Sequence, residues 1–172
     1  MEGVQERFWD MFVVDALIGN NDRNNMNWGL LLNKENNEFS IEPVFDNGNA
    51  FYSKRSVDQI EKRLWKKEFL IEDAYKTSVC AFKYIGQDNE LHHINPYTYI
   101  KQTKNNDCNN AVLRLVERFE YSKIESIIDN IPVNHNGISV MPEMQKMFYK
   151  DIIQLRYNDI ILPAALKISK KK

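Results

Sequence analysis

A mainly α-helical domain carrying one small β-hairpin is what this 172-residue sequence implies. Three observations carry it. Apolar residues recur at helical spacing near the start and through the whole last third. Two short apolar runs bracket a polar stretch, Lys34 to Glu38, as the strands of a hairpin bracket their turn. Capping residues, prolines and glycines then fall where such helices would begin and end.

Phe8, Trp9, Met11, Phe12, Val13, Val14, Ala16, Leu17 and Ile18 are apolar on almost every side of a helix, which implies burial between other elements. Gly19 would end it. Asp15 on this helix reads as a surface or locally hydrogen-bonded carboxylate in preference to a group buried beneath the next loop. Trp28 to Leu32 and Phe39 to Phe45 read as the two strands. Ser56-Val57-Asp58-Gln59 fits a capping box, with Ile60, Leu64 and Trp65 following at helical spacing. The stretch Thr77 to Thr103 is less regular, and Phe82, Tyr84 and Leu91 around Gly86-Gln87-Asp88-Asn89 suggest a small hairpin or an extended excursion. Ala111, Val112, Leu115, Val116 and Phe119 form the next stripe. Ser122-Lys123-Ile124-Glu125 opens another helix that Pro132 stops. Pro142 sits where a first-turn proline is tolerated, and Met144, Met147, Phe148, Ile152 and Leu155 make a last apolar face before Pro163. Asn105-Asn106-Asp107 and Asn134-His135-Asn136-Gly137 are loops.

A net charge of −1 with 27% charged residues supplies no broad basic field, so nucleic acid is not the expected partner. The lysine tail, Lys167 and Lys170 to Lys172, reads as a solvated terminus. Cys80 and Cys108 stand far apart without a paired-cysteine motif, which suggests neither a zinc ribbon nor a disulfide framework and fits a reducing cytoplasm. His92, His93 and His135 lack the companions of a metal site. The first residues lack a signal-peptide pattern, and no run approaches the ~20 apolar residues of a membrane helix. One domain over residues 1–172 is expected.

Chemistry concentrates in Asn20-Asn21-Asp22-Arg23-Asn24-Asn25-Met26-Asn27 and in Phe45-Asp46-Asn47-Gly48. Twenty asparagines make any single Asn match uninformative, so the order of elements is what counts. An apolar helix leads to Asp22, Asn27 follows five residues later, a hairpin intervenes, and Asp46 closes the set. Mg²⁺ takes oxygen ligands, usually one or two carboxylates completed by phosphate oxygens and water. Asp46 offers a carboxylate and Asn27 an amide oxygen, while Asp22 remains free to accept a hydrogen bond from an attacking hydroxyl. A calcium loop counted from Asp22 fits worse: Met26 falls at its fifth position, Asn27 replaces the glycine at its sixth, and Asn33 replaces the terminal glutamate.

In this combination the residues resemble the HipA-like serine/threonine kinases, especially the compact CtkA-like group. The resemblance covers roughly the first 50 residues: Phe12 to Arg23 is similar to the family's catalytic-loop entry, Asn27-Trp28-Gly29 to its continuation, and Pro43 to Gly48 to its metal-Asp segment. It implies a protein-kinase-like C-terminal lobe, ATP with Mg²⁺ or Mn²⁺, a protein Ser or Thr as acceptor, Asp22 as the catalytic Asp, and Asn27 and Asp46 as cofactor and metal ligands. Where the family commonly has His, two residues after the catalytic Asp, this chain has Asn24.

A kinase clamps ATP between two lobes, and the motif begins only about 20 residues from Met1. The expectation is therefore a C-terminal lobe without its ATP-binding N-terminal lobe, with that lobe or an antitoxin-like protein as partner. A non-catalytic module retaining the site residues, or a small-molecule or lipid kinase relative, are the other readings.

Overall fold

A computed structural model describes residues 3–75 and 80–171. The opening Met1-Glu2, the start of the irregular stretch at Thr77 and the final Lys172 lie outside the described residues. The chain is mostly helical, 56%. Eight α-helices occur among the described residues: α1 (Val4–Ile18), α2 (Val57–Trp65), α3 (Lys67–Tyr75), α4 (Pro96–Gln102), α5 (Asn106–Arg118), α6 (Tyr121–Asp129), α7 (Glu143–Arg156) and α8 (Leu162–Ser169). Six short strands pair as three separate antiparallel hairpins: β1 (Leu30–Asn33) with β2 (Glu38–Ile41), β3 (Lys83–Ile85) with β4 (Leu91–His93), and β5 (Asn134–His135) with β6 (Ile138–Ser139).

α1 is the central element. It packs against α5, α4 and α7, and buries Met11, Phe12, Val13, Ala16 and Leu17, as its all-round apolar character requires. Rings extend this packing, with Trp9 stacked on Tyr99 at 5.7 Å between centroids and Phe8 against both Phe82 and Trp28. Val13, Val112, Phe148, Ile152 and Ile160 are wholly buried at the heart of the core. Both cysteines are buried and free, and burial pushes the Cys108 thiol up to about 12, so it carries almost no thiolate near neutral pH.

Gly19 ends α1 in the left-handed region, φ 71°, and its N–H donates to the Asp15 carbonyl. The fully buried Arg156 on α7 approaches the same point. Its guanidinium donates to the carbonyls of Leu17, Asp73 and Ala74 and to the Tyr52 hydroxyl, and so places a cation at the carbonyl ends of both α1 and α3. A Cβ at Gly19 would stand 2.5 Å from an Arg156 nitrogen. Gly19→Ala is therefore expected to destabilise the fold by about 2 kcal/mol or more, joining left-handed backbone strain to displacement of Arg156. Urea unfolding measures it, and the same change in an Arg156→Ala background should cost only the backbone share.

The Ser56 capping box forms as expected, the Ser56 hydroxyl accepting from the Gln59 N–H and the Gln59 side chain accepting from the Ser56 N–H. Trp65, however, is mostly exposed. The differences from the sequence reading have local causes. The first hairpin is joined by two more, each turned by a residue tolerant of positive φ: Asn89 between β3 and β4, in line with the hairpin reading of Gly86 to Asn89, and Asn136-Gly137 between β5 and β6, where a loop is expected. α4 appears inside the irregular stretch, with Asn95 as its cap and Pro96 in its first turn. α6 starts at Tyr121, so Ser122 lies inside the helix and does not cap it.

Pro163 does not end the last helix. A π-helical turn, Tyr157–Ile161, widens the backbone ahead of it, and α8 follows directly with the proline as its second residue. α8 then buries Ala164, Ala165 and Ile168. In the described part of the tail, two lysines are held against α4 and not left free in solvent. Lys167 donates to the Lys101 carbonyl at 3.1 Å and Lys171 to the Thr103 hydroxyl at 3.0 Å, both at the carbonyl end of α4.

Candidate active site

The loop after Gly19 is built by its own asparagines. The Asn20 side chain accepts from the Asp22 N–H at 3.4 Å, the Asn24 side chain accepts from the Met26 N–H at 2.8 Å, and the Asn27 side chain accepts from the Asn24 N–H at 3.1 Å. Such side-chain turns replace backbone pairing in a segment with neither helix nor ladder. Asn24 thus acts as a turn former, and its amide also donates to the Asp22 carbonyl at 3.2 Å.

The hairpin brings the second half of the site. β1 and β2 pair Leu30 with Ile41, and the contact continues where the Glu42 N–H donates to the Gly29 carbonyl at 2.9 Å. Pro43 has no N–H to give. The next contact, Phe45 N–H to Asn27 carbonyl at 3.4 Å, comes after the pairing has slipped by one residue. Asp46 follows with φ 55°, a left-handed conformation that Asp tolerates. The result sets Asp46 against Asn27: the Asn27 side-chain N–H donates to Asp46 Oδ2 at 2.9 Å across 19 residues of chain.

Asn27 is buried, whereas Asp22 and Asp46 are exposed. All three sequence-selected residues therefore lie on one loop–hairpin junction. Asp22 is attached to it through backbone bonds only, and its carboxylate has no hydrogen-bond partner among the described residues. The donor set suits a hard cation shared with phosphate groups, since one carboxylate and one amide oxygen leave most coordination positions to phosphate and water. Asn27 Oδ1 would have to turn from the Asn24 N–H toward Asp46 to take part. No group of three or more His, Cys, Asp or Glu placed to hold a metal occurs among the described residues.

Asp15 corrects the sequence reading. It is 7% exposed and lies beneath the loop, not on the helix surface. Its carboxylate accepts from Arg23 Nε at 2.8 Å, Arg23 Nη2 at 3.1 Å and the Asn20 side chain at 3.2 Å. Burial pushes its carboxyl group up from the usual range, and the Arg23 guanidinium and Asn20 amide act against that shift. Sequence reasoning misses Arg23, though it is 1% exposed and spans both halves of the site. Its one signal is an arginine beside the candidate Asp in a loop otherwise nearly free of charge.

Beyond Asp46 the Asn49 side chain donates to the Asn21 side chain. Tyr52, at φ 55°, is fixed by its hydroxyl bond to the Asp73 carbonyl and by Arg55 stacked 3.9 Å above its ring. A cleft of about 180 Å³ lined by Gly19, Asn21, Asn49, Tyr52, Lys54 and Arg55 opens next to Asp22 along the chain. A second cleft, about 400 Å³ between β3, β4 and α4, is lined by none of Asp22, Asn27 and Asp46.

No protein-family model matches the sequence. The chain is 38% identical over 154 residues to the serine/threonine-protein kinase CtkA of Helicobacter pylori strain J99, a match covering 90% of this chain and 44% of that protein. The crystal structure of the Helicobacter pylori proinflammatory kinase CtkA superimposes with a TM-score of 0.83 at 34% identity, over 98% of this chain and 54% of that one. The chain thus spans about half the length of the relatives it matches. In sequence and in fold the chain is similar to a part of the CtkA kinase.

Proposed function

We infer that the chain is the C-terminal lobe of a HipA-like protein kinase that transfers the ATP γ-phosphoryl group to a serine or threonine hydroxyl of a protein. The observation that carries this reading is the 2.9 Å contact between Asn27 and Asp46, with the unpartnered Asp22 carboxylate on the same loop. Asp22 accepts the hydrogen bond of the acceptor hydroxyl and directs its oxygen at the γ-phosphorus. The new oxygen–phosphorus bond forms as the bond to the β-phosphate oxygen breaks, ADP leaves, and the hydroxyl proton passes by way of Asp22. Asp46 and Asn27 would hold Mg²⁺ or Mn²⁺, which neutralises phosphate charge when bound.

Catalysis of this kind also needs a jaw on the nucleotide's far side. The β1–β2 hairpin is where it would dock. Two paired strands alone are marginal in water, yet Leu30, Leu31, Leu32, Phe39 and Phe45 are all between 43% and 56% exposed, an apolar surface suited to being covered. Leu31→Lys is expected to change the stability of the chain by no more than about 0.5 kcal/mol. It should weaken association with an N-terminal lobe supplied in trans, measured by the loss of the rise in Tm that docking gives.

Calorimetry with Mn²⁺ and ADP tests the cation site. Weak binding by the chain, removed by Asp46→Ala without loss of fold, is the expected result. Equal binding by the variant would remove Asp46 from the role.

A further inference from the structure

Arg23 uses every donor it has. Nε donates to Asp15 Oδ2 at 2.8 Å, Nη2 to Asp15 Oδ1 at 3.1 Å and to Asn47 Oδ1 at 2.5 Å, and Nη1 to the Asn27 carbonyl at 3.4 Å and to the Phe45 carbonyl. Five N–H groups meet five contacts, the full capacity of a guanidinium. The acceptors are not scattered. Asn27 is one candidate cation ligand, Phe45 and Asn47 flank the other, and Asp15 ties the assembly to the central helix α1.

The Asn27 and Phe45 carbonyls are held by one nitrogen, so their separation is set by that atom. The Phe45 N–H to Asn27 carbonyl contact, at 3.4 Å, is a weak link between the two segments. The rigid fork of Arg23 supplies the span that the ladder lost when its pairing slipped at Pro43. Stability alone is a poor reason for burying such a cation, since an apolar group of similar volume often does as well. A planar donor array fixing several acceptors at once is what an apolar group cannot provide.

We propose that Arg23, anchored by Asp15, is the positioning residue that fixes the separation of Asn27 from Asp46 and thereby the cation preference of the site. It rests on the cation role given to Asn27 and Asp46 above. Mg²⁺ demands a tight, near-ideal octahedron, whereas Ca²⁺ accepts longer and more irregular coordination. Loosening this bite should therefore penalise Mg²⁺ more than Ca²⁺.

The test compares Arg23→Lys with the milder Asn47→Ala, which removes one acceptor at an exposed residue. Lys123→Arg, at the exposed Lys123–Glu120 pair at the start of α6, is the control. By NMR, the wild-type chain and the control should show a protected Phe45 amide and a hydrogen-bonded Asn27 side-chain amide. In Arg23→Lys the Phe45 amide should exchange about tenfold faster through local opening, and the Asn27 signal should move toward that of a solvated amide. Asn47→Ala should show both changes in smaller measure. By calorimetry, the ratio of Mg²⁺–ADP to Ca²⁺–ADP affinity should fall about tenfold in Arg23→Lys, as when a group supporting a metal ligand is lost.

Unchanged Phe45 exchange and an unchanged Asn27 signal in both variants would overturn the positioning role. Changed NMR signals with an unaltered Mg²⁺ to Ca²⁺ ratio would overturn the link to cation preference. A wild-type chain that binds neither nucleotide complex would refute the cation reading itself, while the NMR comparison would still decide what Arg23 does.

Discussion

Asp15→Ala is expected to destabilise the fold by about 3–5 kcal/mol, the loss typical when one partner of a buried ion pair is removed and the other stays. Arg23, at 1% exposure, would keep its charge and lose the carboxylate that pairs it. On its other side the guanidinium is held by the Asn27 and Phe45 carbonyls. The Asn20 amide would lose its acceptor too, and with it the start of the loop. Urea unfolding measures the cost, and Asp15→Asn should fall between the two, since an amide oxygen can still accept from Arg23. The double variant Asp15→Leu with Arg23→Met should recover part of the stability while losing the ordered contact of Asn27 with Asp46. A loss below about 1 kcal/mol for Asp15→Ala, within the range of ordinary substitutions, would mean that Arg23 is not confined by this pair.

Periodicity and caps carry much of the fold. α1 is readable because its apolar residues leave no polar face, and α2 because Ser56 and Gln59 make a reciprocal cap. α4 is obscured by Tyr84, Leu91 and the histidines ahead of it, although Asn95-Pro96 carries the cap and first-turn signals. The path across Pro163 depends on a π turn that has no local sequence signature.

In the site, Asp22, Asn27 and Asp46 can be singled out because their order along helix, loop and hairpin resembles that of a kinase catalytic segment, which residue type alone would not show. Asp15 and Arg23 cannot be paired from the sequence. Their contact depends on how the loop folds back under itself, and a carboxylate on a helix gives no sign of which way it faces. The slip of pairing at Pro43 is equally hidden, and it decides that Asp46 meets Asn27.

The proposed phosphotransfer role rests on Asp22 being used for chemistry and not for structure. Its carboxylate is exposed and has no hydrogen-bond partner among the described residues, so Asp22→Asn should leave stability within about 0.5 kcal/mol of the parent. General-base and orienting groups are worth roughly 10²- to 10⁴-fold in rate. In an assembly completed by a nucleotide-clamping lobe, the same substitution should lower kcat by that order with little change in nucleotide affinity, because the interaction is made mainly in the transition state. The decisive measurement is phosphate incorporation on serine or threonine, by mass spectrometry, in that completed assembly with Mg²⁺ and ATP, comparing the parent with an Asp22→Asn variant of equal Tm. Transfer by the parent that collapses in the variant is the expected result; a stable, nucleotide-bound parent assembly that incorporates no phosphate, or a variant that transfers as fast as the parent, would contradict it.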